Sequence, residues 1–298
     1  MPVVSQPPVD PPPFVVDKAP RNGVDGPSVP ILLASPHSGL YEPANFRRTS
    51  ITTTEDRRRA ADFEVDRLFR AAALTHGLAM VRATHSRTYV DLNRDPAELD
   101  PAIIEDLPPR TFSARVRAGL GVIPRMATPG VPLYDRPIRM AEANARLGTI
   151  HRPYHAEIGR RLAALRNAHG SALLIDCHSM PSLPRRGGQP GAAFVVGDRH
   201  GESAMPRIGQ EIAATLSSYG RVAMNDPYAG GHGTTHHGNP ARGIHAVQIE
   251  IDRSLYLESD RLVCRPDLGG LPAVMTELIG KLAEQLMGED TETVLAAE

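Results

Sequence analysis

The sequence predicts an α/β fold, a three-layer sandwich around a mostly parallel, mixed sheet. Short apolar runs such as residues 30–34 and 172–175 end abruptly in polar residues, as strands buried on both faces of a parallel sheet do. These runs alternate with segments of helical periodicity, which favours helices on both faces of one sheet. With 298 residues, the chain can form one large domain or two smaller ones. We predict a single α/β domain over residues 29–288.

The strands are predicted from short apolar runs bounded by polar or turn residues. In chain order they lie at residues 29–35, 78–83, 88–92, 172–178, 192–196, 222–224 and 245–251.

The helices are predicted from apolar residues at steps of three and four. The clearest case is residues 139–168, where Ile150, Tyr154, Ile158, Leu162 and Leu165 mark one face. The full set lies at residues 57–73, 139–168, 205–216 and 271–286.

Three segments lack such periodicity. Residues 1–28 are a proline-rich tail, in which dense prolines remove backbone donors and favour extended or disordered chain. Residues 95–137 carry many prolines, and a loop this long indicates an insertion or a lid over the site. Residues 289–298 form an acidic tail that we expect to fray.

The composition excludes several classes of partner. A formal net charge of −1 favours neither nucleic acid nor an anionic membrane, and no apolar stretch approaches the ~20 residues that span a bilayer. The arginines at 57–59 and 185–186 are expected to be solvated surface charge. Only Cys177 and Cys264 are present, and no secretory signal precedes the domain, so we expect a cytoplasmic protein.

Two histidines follow two of the predicted strands. His37 stands in Ser-Pro-His-Ser-Gly and His178 in Asp-Cys-His-Ser-Met. Ligands bind beyond the carboxyl ends of parallel strands, and catalytic zinc has three protein ligands and an open position. The pair therefore indicates a shared metal site. The alternative is that each histidine only caps its strand and bonds to backbone.

A carboxylate is the expected third ligand. Asp62 is favoured because it stands near the start of a predicted helix, from which a short side chain can reach outward. Glu42, Glu64 and Asp66 are the other candidates, and Asp66 could instead support a ligand from behind.

Glu250 lies within the apolar strand Ala-Val-Gln-Ile-Glu-Ile. A buried carboxylate is costly unless it is paired, ligated or functional. Burial raises the pKa of a carboxyl, which suits a general base. The alternative is a salt bridge to an arginine such as Arg253.

The segment Ser-Arg-Thr-Tyr-Val-Asp-Leu-Asn-Arg, residues 86–94, carries two candidate anion ligands. The guanidinium groups of Arg87 and Arg94 could bind substrate carboxylates in bidentate fashion. Asn93 would add an amide donor, and Asp91 would hold one arginine in place. The alternative is an internal Asp–Arg network that only shapes the loop.

A Gly/His-rich loop over residues 226–243 is the last candidate. Its glycines permit close backbone approach to a ligand, which His232, His236 or His237 could contact. The alternative is a mobile loop without a ligand.

The ordered set of these motifs resembles the N-formylglutamate amidohydrolase family. The matching segments span about residues 30–257 and keep the family's order. They are residues 35–39, Asp62 with 65–68, 86–94, 176–180, 197–198, 230–231 and 248–251.

The resemblance implies a metal-dependent hydrolase with a phosphorylase/hydrolase-like fold related to zinc carboxypeptidases. Its implied metal ligands are His37, Asp62 and His178, around one divalent ion that is most simply Zn²⁺. The zinc-peptidase pattern places its carboxylate three residues after the first histidine. That position here is Leu40.

The resemblance also implies that Glu250 is the general base and that Asn93 and Arg94 bind a substrate carboxylate. From their residue types and positions, we expect Arg87, Ser38 and His237 to be further substrate-binding residues. We expect Asp66, Asp176 and Ser179 to form hydrogen bonds that orient the metal ligands. Cys177 alternates to the opposite face of its strand, where we expect it to pack in the core.

The expected function is hydrolysis of a C–N amide bond in a small N-acyl amino acid that bears a carboxylate. The resemblance indicates N-formyl-L-glutamate, which would give formate and L-glutamate, a reaction of histidine degradation. One alternative is another zinc amidohydrolase that acts on peptide or cell-wall amides. A second is a non-catalytic protein that binds an acidic ligand on the same fold.

Overall fold

Strands and helices alternate along most of the chain. The structure is a computed structural model that describes residues 10–17, 29–107, 112–185, 187–258 and 262–295. The strands are β1 (Phe14–Asp17), β2 (Ile31–Ser35), β3 (Ala79–Ala83), β4 (Met126–Thr128), β5 (Val131–Pro132), β6 (Ala172–Met180), β7 (Phe194–Gly197), β8 (Val222–Met224), β9 (Ile244–Asp252), β10 (Leu257–Glu258) and β11 (Val263–Cys264). The α-helices are α1 (Ala44–Thr49), α2 (Thr54–Ala60), α3 (Val65–Thr75), α4 (Ala114–Arg117), α5 (Met140–Arg146), α6 (Arg152–His169), α7 (Pro206–Ser217), α8 (His232–His237) and α9 (Leu271–Leu295).

The central sheet has seven strands in the order β1-β3-β2-β6-β9-β7-β8. Four neighbouring pairs are parallel, namely β3/β2, β2/β6, β6/β9 and β7/β8. The pairs β1/β3 and β7/β9 are antiparallel. The prediction of a mostly parallel, mixed sheet is confirmed.

Helices cover both faces of this sheet. In β6, Leu173, Ile175 and Cys177 pack into one apolar cluster with side chains of α3, α7 and α9. The alternate residues Ala172 and Leu174 pack into a second cluster with α6. Because successive strand residues point to opposite faces, these two cores give the predicted three layers. Cys177 packs in the core, as expected.

The chain from Ala61 to Glu64 interrupts the helix that the sequence predicts over residues 57–73. The observed helices α2 and α3 lie on either side of it. Glu64 has φ of 59°, a left-handed conformation that a continuous helix does not accommodate. The break places Asp62 in a turn, and Asp62 N–H donates to the carbonyl of His37 at 3.0 Å.

The predicted extended piece at 88–92 is wrong. These residues form turns, with Tyr89 N–H and Val90 N–H donating to the carbonyl of Ser86 at 2.9 and 3.3 Å. Val90 and Leu92 are nonetheless buried, so the apolar pattern reflects packing of a loop rather than a strand.

Part of the proline-rich segment is ordered. Residues 14–17 form the edge strand β1, and Phe14 pairs with Ala83 of β3. Arg82 binds Asp17 across the pair, with Nε at 2.5 Å from Oδ2. The apolar run Phe-Val-Val after Pro13 is sufficient for an edge strand, which tolerates neighbouring prolines. Residues 1–9 and 18–28 of the predicted tail lie outside the described residues.

The long helix predicted over residues 139–168 contains a π-helical turn. Leu147–His151 forms this turn between α5 and α6. Its end residue His151 is buried. A π turn inserts an extra residue, so the face presented by His151 cannot be read from 3.6-residue periodicity.

The remaining predicted non-periodic segments also contain elements. Residues 95–137 include α4 and the β4/β5 hairpin, apart from 108–111, which lie outside the described residues. Helix α9 continues to Leu295, so the predicted tail from residue 289 is helical at its start. Residues 296–298 lie outside the described residues. Within the described chain, none of the helices combines the length and apolarity that a bilayer span requires.

Arg57 corrects the expectation of a solvated arginine run. It is 3% exposed, and its Nε and Nη2 donate to the two carboxylate oxygens of Glu42 at 2.8 and 2.9 Å. Arg58 and Arg59 are exposed, as expected. A buried guanidinium requires such a partner, but the sequence does not show which carboxylate supplies it.

Candidate active site

Three chain segments bring His37, Asp62 and His178 together. His37 follows β2, Asp62 lies in the turn between α2 and α3, and His178 lies near the end of β6. All three are at most 2% exposed. One ligand atom from each residue lies within 4.8 Å of the other two.

A single carboxylate oxygen joins the two histidines. Asp62 Oδ2 lies 2.9 Å from His178 Nδ1 and 3.3 Å from His37 Nδ1. Burial alone would raise the pKa of Asp62, but hydrogen bonds from His178 and His37 outweigh burial and hold that pKa well below its usual value. The carboxyl group is therefore ionised at neutral pH.

The outer nitrogen of each histidine also faces a carboxylate. His37 Nε2 lies 2.7 Å from Asp91 Oδ1, and His178 Nε2 lies 3.2 Å from Asp176 Oδ2. If His37 Nε2–H donates to Asp91, the lone pair of its Nδ1 faces the Asp62 oxygen. Two acceptors that face each other require a proton or a cation between them.

These residues fit a divalent metal ion. Two imidazoles and a carboxylate are the donors of catalytic zinc sites, and carboxylates behind ligating histidines fix the imidazole tautomer and orientation. Asp91 gives such support to His37 through its hydrogen bond. Asp176 Oδ2 lies at ion-pair distance from His178 Nε2, but it has no hydrogen-bond partner among the described residues.

The other candidate carboxylates lie elsewhere. Glu42 is bound by Arg57, and Glu64 pairs with Arg67 at 3.2 Å. Asp66 Oδ2 accepts from Arg82 Nη1 at 3.1 Å, which corrects the expectation that it supports the site. A residue one helical turn after Asp62 turns toward the β1/β3 edge instead.

Arg253 holds the second oxygen of Asp62. Its Nη2 donates to Asp62 Oδ1 at 2.9 Å, and its Nε donates to Ser179 Oγ at 3.1 Å. The sequence offered Arg253 as a salt-bridge partner of Glu250, whereas the described ion pair of Arg253 is with Asp62. Ser179 thus supports the site through Arg253.

Glu250 lies opposite His178 in the register of β6 and β9. Its Oε1 accepts from Gln248 Nε2 at 2.8 Å. Burial raises the pKa of Glu250 to about 7, against the opposing effect of the nearby His178. A carboxyl with this pKa exchanges its proton near neutral pH, as a general base must.

Asn93 contacts three parts of the site. Its amide nitrogen lies 3.2 Å from both His178 Nε2 and Gln248 Oε1, and its side-chain oxygen accepts from Gly233 N–H at 2.9 Å. A Cβ at Gly231 would approach the Asn93 side-chain nitrogen and oxygen to 2.3 Å. Gly231 therefore allows the backbone of the Gly/His-rich segment to lie close to the Asn93 side chain. The sequence had predicted close approach to a ligand.

A cavity of about 470 Å³ opens above these groups. It contains the ligand triad and Glu250 in its lining, together with five arginines. The arginines are Arg59, Arg87, Arg94, Arg115 and Arg253. Residues of the 95–137 segment also line it, among them Leu120, Pro124 and Met126.

The lining arginines differ in their partners. Arg87 Nη2 donates to Asp91 Oδ2 at 2.7 Å, and its Nη1 lies 3.9 Å from Asp62 Oδ1. This is the internal Asp–Arg network that the sequence offered as an alternative. Arg94 donates only to main-chain carbonyls, those of Leu120 and Asn93, at 3.0 Å each.

Arg94 and Arg115 have no carboxylate partner among the described residues. Burial is the main cause that lowers the pKa of Arg94, and the nearby Arg87 and Arg115 lower it further. The carboxylates of Asp91 and Glu98 act in the opposite direction. Two guanidinium groups that line one cavity and have no ion pair within the described chain favour a ligand with two negative charges.

Two predicted substrate-binding residues lie outside this cavity. Ser38 Oγ bonds to Ser35 Oγ at 2.6 Å and does not line the cavity. His237 belongs to α8, a helix within the loop predicted at 226–243, and lines a different pocket. The helix forms where the sequence shows only turn residues and histidines.

Sequence reasoning assigned no individual role to several cavity residues, among them Gln248 and Arg115. Strand alternation could have identified Gln248, because it lies two residues before Glu250 on the same face. Nothing in the local pattern around Arg115 indicates a site. Tyr228, which also lines the cavity, lies in the Gly/His-rich loop that the sequence did indicate.

Comparisons with known proteins agree with this geometry. The sequence model of the N-formylglutamate amidohydrolase family matches residues 29–257. An N-formylglutamate deformylase of Pseudomonas putida is 31% identical over 247 residues, which cover 80% of this chain and 86% of that protein. An N-formylglutamate deformylase of Pseudomonas aeruginosa is 31% identical over 272 residues, with coverage of 85% and 92%.

Two crystal structures share the architecture. The N-formylglutamate amidohydrolase of Ralstonia eutropha superposes with a TM-score of 0.83 at 31% identity, covering 92% of this chain and 98% of that one. A protein of Agrobacterium tumefaciens superposes with a TM-score of 0.62 at 18% identity, covering 95% and 96%. At that identity the second match shows the fold alone.

Proposed function

This chain belongs to the N-formylglutamate amidohydrolase family, and we propose that it hydrolyses N-formyl-L-glutamate to formate and L-glutamate. The observation that carries the proposal is a single cavity. It combines a triad that could hold a metal ion, a carboxyl with a pKa near neutral and two arginines that have no ion pair within the described part of the chain. Each group matches one requirement of hydrolysing an amide in a dicarboxylate.

His37, Asp62 and His178 would hold the metal ion. A divalent ion, when bound, supplies Lewis acidity that polarises a carbonyl oxygen and lowers the pKa of water. Zn²⁺ is the simplest choice for two imidazoles and one carboxylate, although Co²⁺, Mn²⁺ and Fe²⁺ accept the same donors.

Glu250 is the proposed general base. Its carboxylate removes a proton from the attacking water and returns that proton to the departing amine nitrogen. Gln248 Nε2 donates to Glu250 Oε1 at 2.8 Å, which fixes the orientation of the carboxylate. The other carboxylate oxygen is then the one that exchanges the proton.

Arg94 and Arg115 are the proposed ligands of the substrate carboxylates. Arg94 follows Asn93, which contacts His178, so it lies on the triad side and suits the α-carboxylate next to the reacting amide. Arg115 belongs to α4 and is exposed, which suits the more distant γ-carboxylate. Arg87 has a different role. Its ion pair with Asp91 holds in place the carboxylate that bonds to His37 Nε2.

The cavity volume favours a small substrate over a cell-wall or peptide amide. About 470 Å³ lies within the range of pockets that enclose small molecules. Leu120, Pro124 and Met126 border it, so the 95–137 segment limits the length of chain that could enter. We propose that this segment acts as a lid.

The test is formate release from N-formyl-L-glutamate by metal-replete enzyme. N-acetyl-L-glutamate, N-formyl-L-glutamine and a dipeptide serve as comparison substrates. We expect the highest kcat/KM for N-formyl-L-glutamate and loss of activity in His178→Asn. Absence of hydrolysis for every N-acyl amino acid, with metal bound, would contradict the proposal and favour a binding protein.

A further inference from the structure

Five histidines gather next to the backbone of Asn93, in a pocket separate from the candidate active site. His151 and His155 come from the π turn and α6, and His232, His236 and His237 come from α8. All five line a pocket of about 750 Å³. This pocket shares no lining residue with the cavity that contains Glu250.

Three of these histidines are close enough to hold one ion. The ring centroids of His151 and His155 lie 4.6 Å apart, and His232 lies 4.8 Å from His155 and 5.3 Å from His151. One nitrogen from each ring lies within 4.8 Å of the other two. The ligand atoms of the triad at Asp62 lie within the same limit of one another.

Hydrogen bonds fix the tautomers of two of the rings. His151 Nε2 lies 2.9 Å from the carbonyl oxygen of Arg94, and His155 Nε2 lies 2.8 Å from that of Leu92. A carbonyl only accepts, so both Nε2 atoms carry the proton. Each neutral ring therefore has its lone pair on Nδ1, and donation from the outer nitrogen to a carbonyl is typical of metal-ligating histidines.

The rings are neutral at physiological pH. Burial is the main cause that lowers the pKa of His155 well below its usual value and the pKa of His232 to about 4, and neighbouring imidazoles lower both further. Burial also lowers the pKa of His151. Neutral imidazole is the form that binds metal, so binding would not require these rings to lose a proton.

We propose that His151, His155 and His232 form a second metal site, which takes one divalent transition ion such as Zn²⁺. Imidazole donors suit Zn²⁺, Cu²⁺ and Ni²⁺, whereas Mg²⁺ and Ca²⁺ require oxygen. His237 Nε2 lies 3.0 Å from His155 Nδ1. A bound ion takes the Nδ1 lone pair and replaces this hydrogen bond.

Four arginines line the pocket together with Asp95. Arg160 is ion-paired with Glu157, and Arg152 and Arg242 are exposed, so solvent screens their charges. Arg166 is half-buried and donates to Asn167 Oδ1 at 2.8 Å. The Asp95 carboxylate, 58% exposed, lies 4.0 Å from His232 Nδ1. It provides a nearby negative charge, and water or an anion can complete the coordination.

The site would stabilise the segment from Leu92 to Arg94. Two of its histidines hold the carbonyls of Leu92 and Arg94, and His232 N–H donates to the carbonyl of Asn93 at 3.3 Å. An ion would therefore tie α6 to α8 around the backbone that presents Asn93 and Arg94. Its role is structural, and it requires no step of catalysis.

The test is a Zn²⁺ titration of chelator-stripped protein, with bound metal measured by elemental analysis after desalting. Wild type should bind two equivalents, and His232→Ala should bind one. His37→Asn should also bind one equivalent, now at the second site. His200→Asn, a change of an exposed histidine outside both clusters, should leave two.

A second measurement covers the case in which His232→Ala does not fold. His37→Asn with Co²⁺ should show the visible absorption bands of a nitrogen-ligated site, and Zn²⁺ should raise its Tm. The proposal is overturned if His37→Asn binds no metal or if folded His232→Ala still binds two equivalents. Failure of the proposed function gives a different pattern, in which His37→Asn retains its metal but wild type releases no formate.

Discussion

Gly231 and the Asn93 side chain are packed so closely that a Cβ at position 231 would come within 2.3 Å of both Asn93 Nδ2 and Oδ1. Asn93 contacts His178 and Gln248 on its other side, so it cannot move away without disturbing the site. Because Gly231 has no side chain, its backbone can pack against the Asn93 amide and fix the orientation of that amide.

Gly231→Ala should therefore reduce activity strongly. Displacement of a site residue by about 1 Å can cost on the order of 100-fold in rate, and we expect a loss of kcat/KM of that order in formate release. Gly148→Ala is the matched control, because nothing lies within 4 Å of its added Cβ. Equal activity of the two variants would contradict the close packing.

Glu250→Gln should retain its metal and lose turnover. The amide keeps the size of the side chain but cannot accept the proton of water, and removal of a general base costs about 100- to 10,000-fold. Metal content and kcat measured on the same preparation check this. Substantial residual kcat would remove Glu250 from the mechanism.

Glu250 should also make the stability of metal-free enzyme depend on pH. Burial raises the folded-state pKa of Glu250 from 4.5 to about 7, so folding favours the protonated form. Its contribution is fully present below pH 4.5 and is lost as pH rises through 7. With EDTA present, wild type should lose on the order of 2 kcal/mol relative to Glu250→Gln between pH 5 and 8. Parallel urea-unfolding profiles of the two proteins would contradict the shift.

Arg115→Gln should discriminate between substrates. Loss of a charged hydrogen bond to the γ-carboxylate should reduce kcat/KM for N-formyl-L-glutamate by about 10- to 100-fold. The effect on N-formyl-L-glutamine, which lacks that carboxylate, should be small. Arg117→Gln is the control in the same helix, because Arg117 does not line the cavity. Equal losses for both substrates would show that Arg115 does not recognise the γ-carboxylate.

Arg57→Ala should destabilise the protein without involving the site directly. The change leaves Glu42 buried without its bidentate partner, and breaking a buried ion pair in this way costs about 3–5 kcal/mol. The neighbouring Arg58→Ala removes an exposed charge and should stay within about 0.5 kcal/mol of wild type. Chemical unfolding of both variants measures the difference.

The parts of the site that follow strands could be predicted from sequence. His37 and His178 each come three residues after the end of an apolar run, and the parallel arrangement of β2 and β6 brings such positions to one edge. Asp62 could be favoured only by its place near a helix start, and the break between α2 and α3 was not visible in the periodicity. The kinship with zinc carboxypeptidases remains a prediction.

Contacts between distant segments could not be predicted. The Arg57–Glu42 and Arg253–Asp62 ion pairs join loops whose approach depends on the whole fold. The same holds for the histidines of α6 and α8. In addition, the π turn that ends at His151 shifts the helix face by one residue, so the face of His151 cannot be extrapolated along an α-helix.

The paired register of β6 and β9 has a consequence for how this site can be altered or transplanted. Strands β6 and β9 pair over nine consecutive positions, and His178 lies opposite Glu250 within that register. The side chains of each strand alternate between the two cores. Deleting one residue of a strand before His178 or Glu250 would therefore turn every side chain of that strand to the opposite face of the sheet. A designer who grafts this chemistry onto another scaffold must therefore copy both strands in phase, and natural insertions are expected only in the connecting loops.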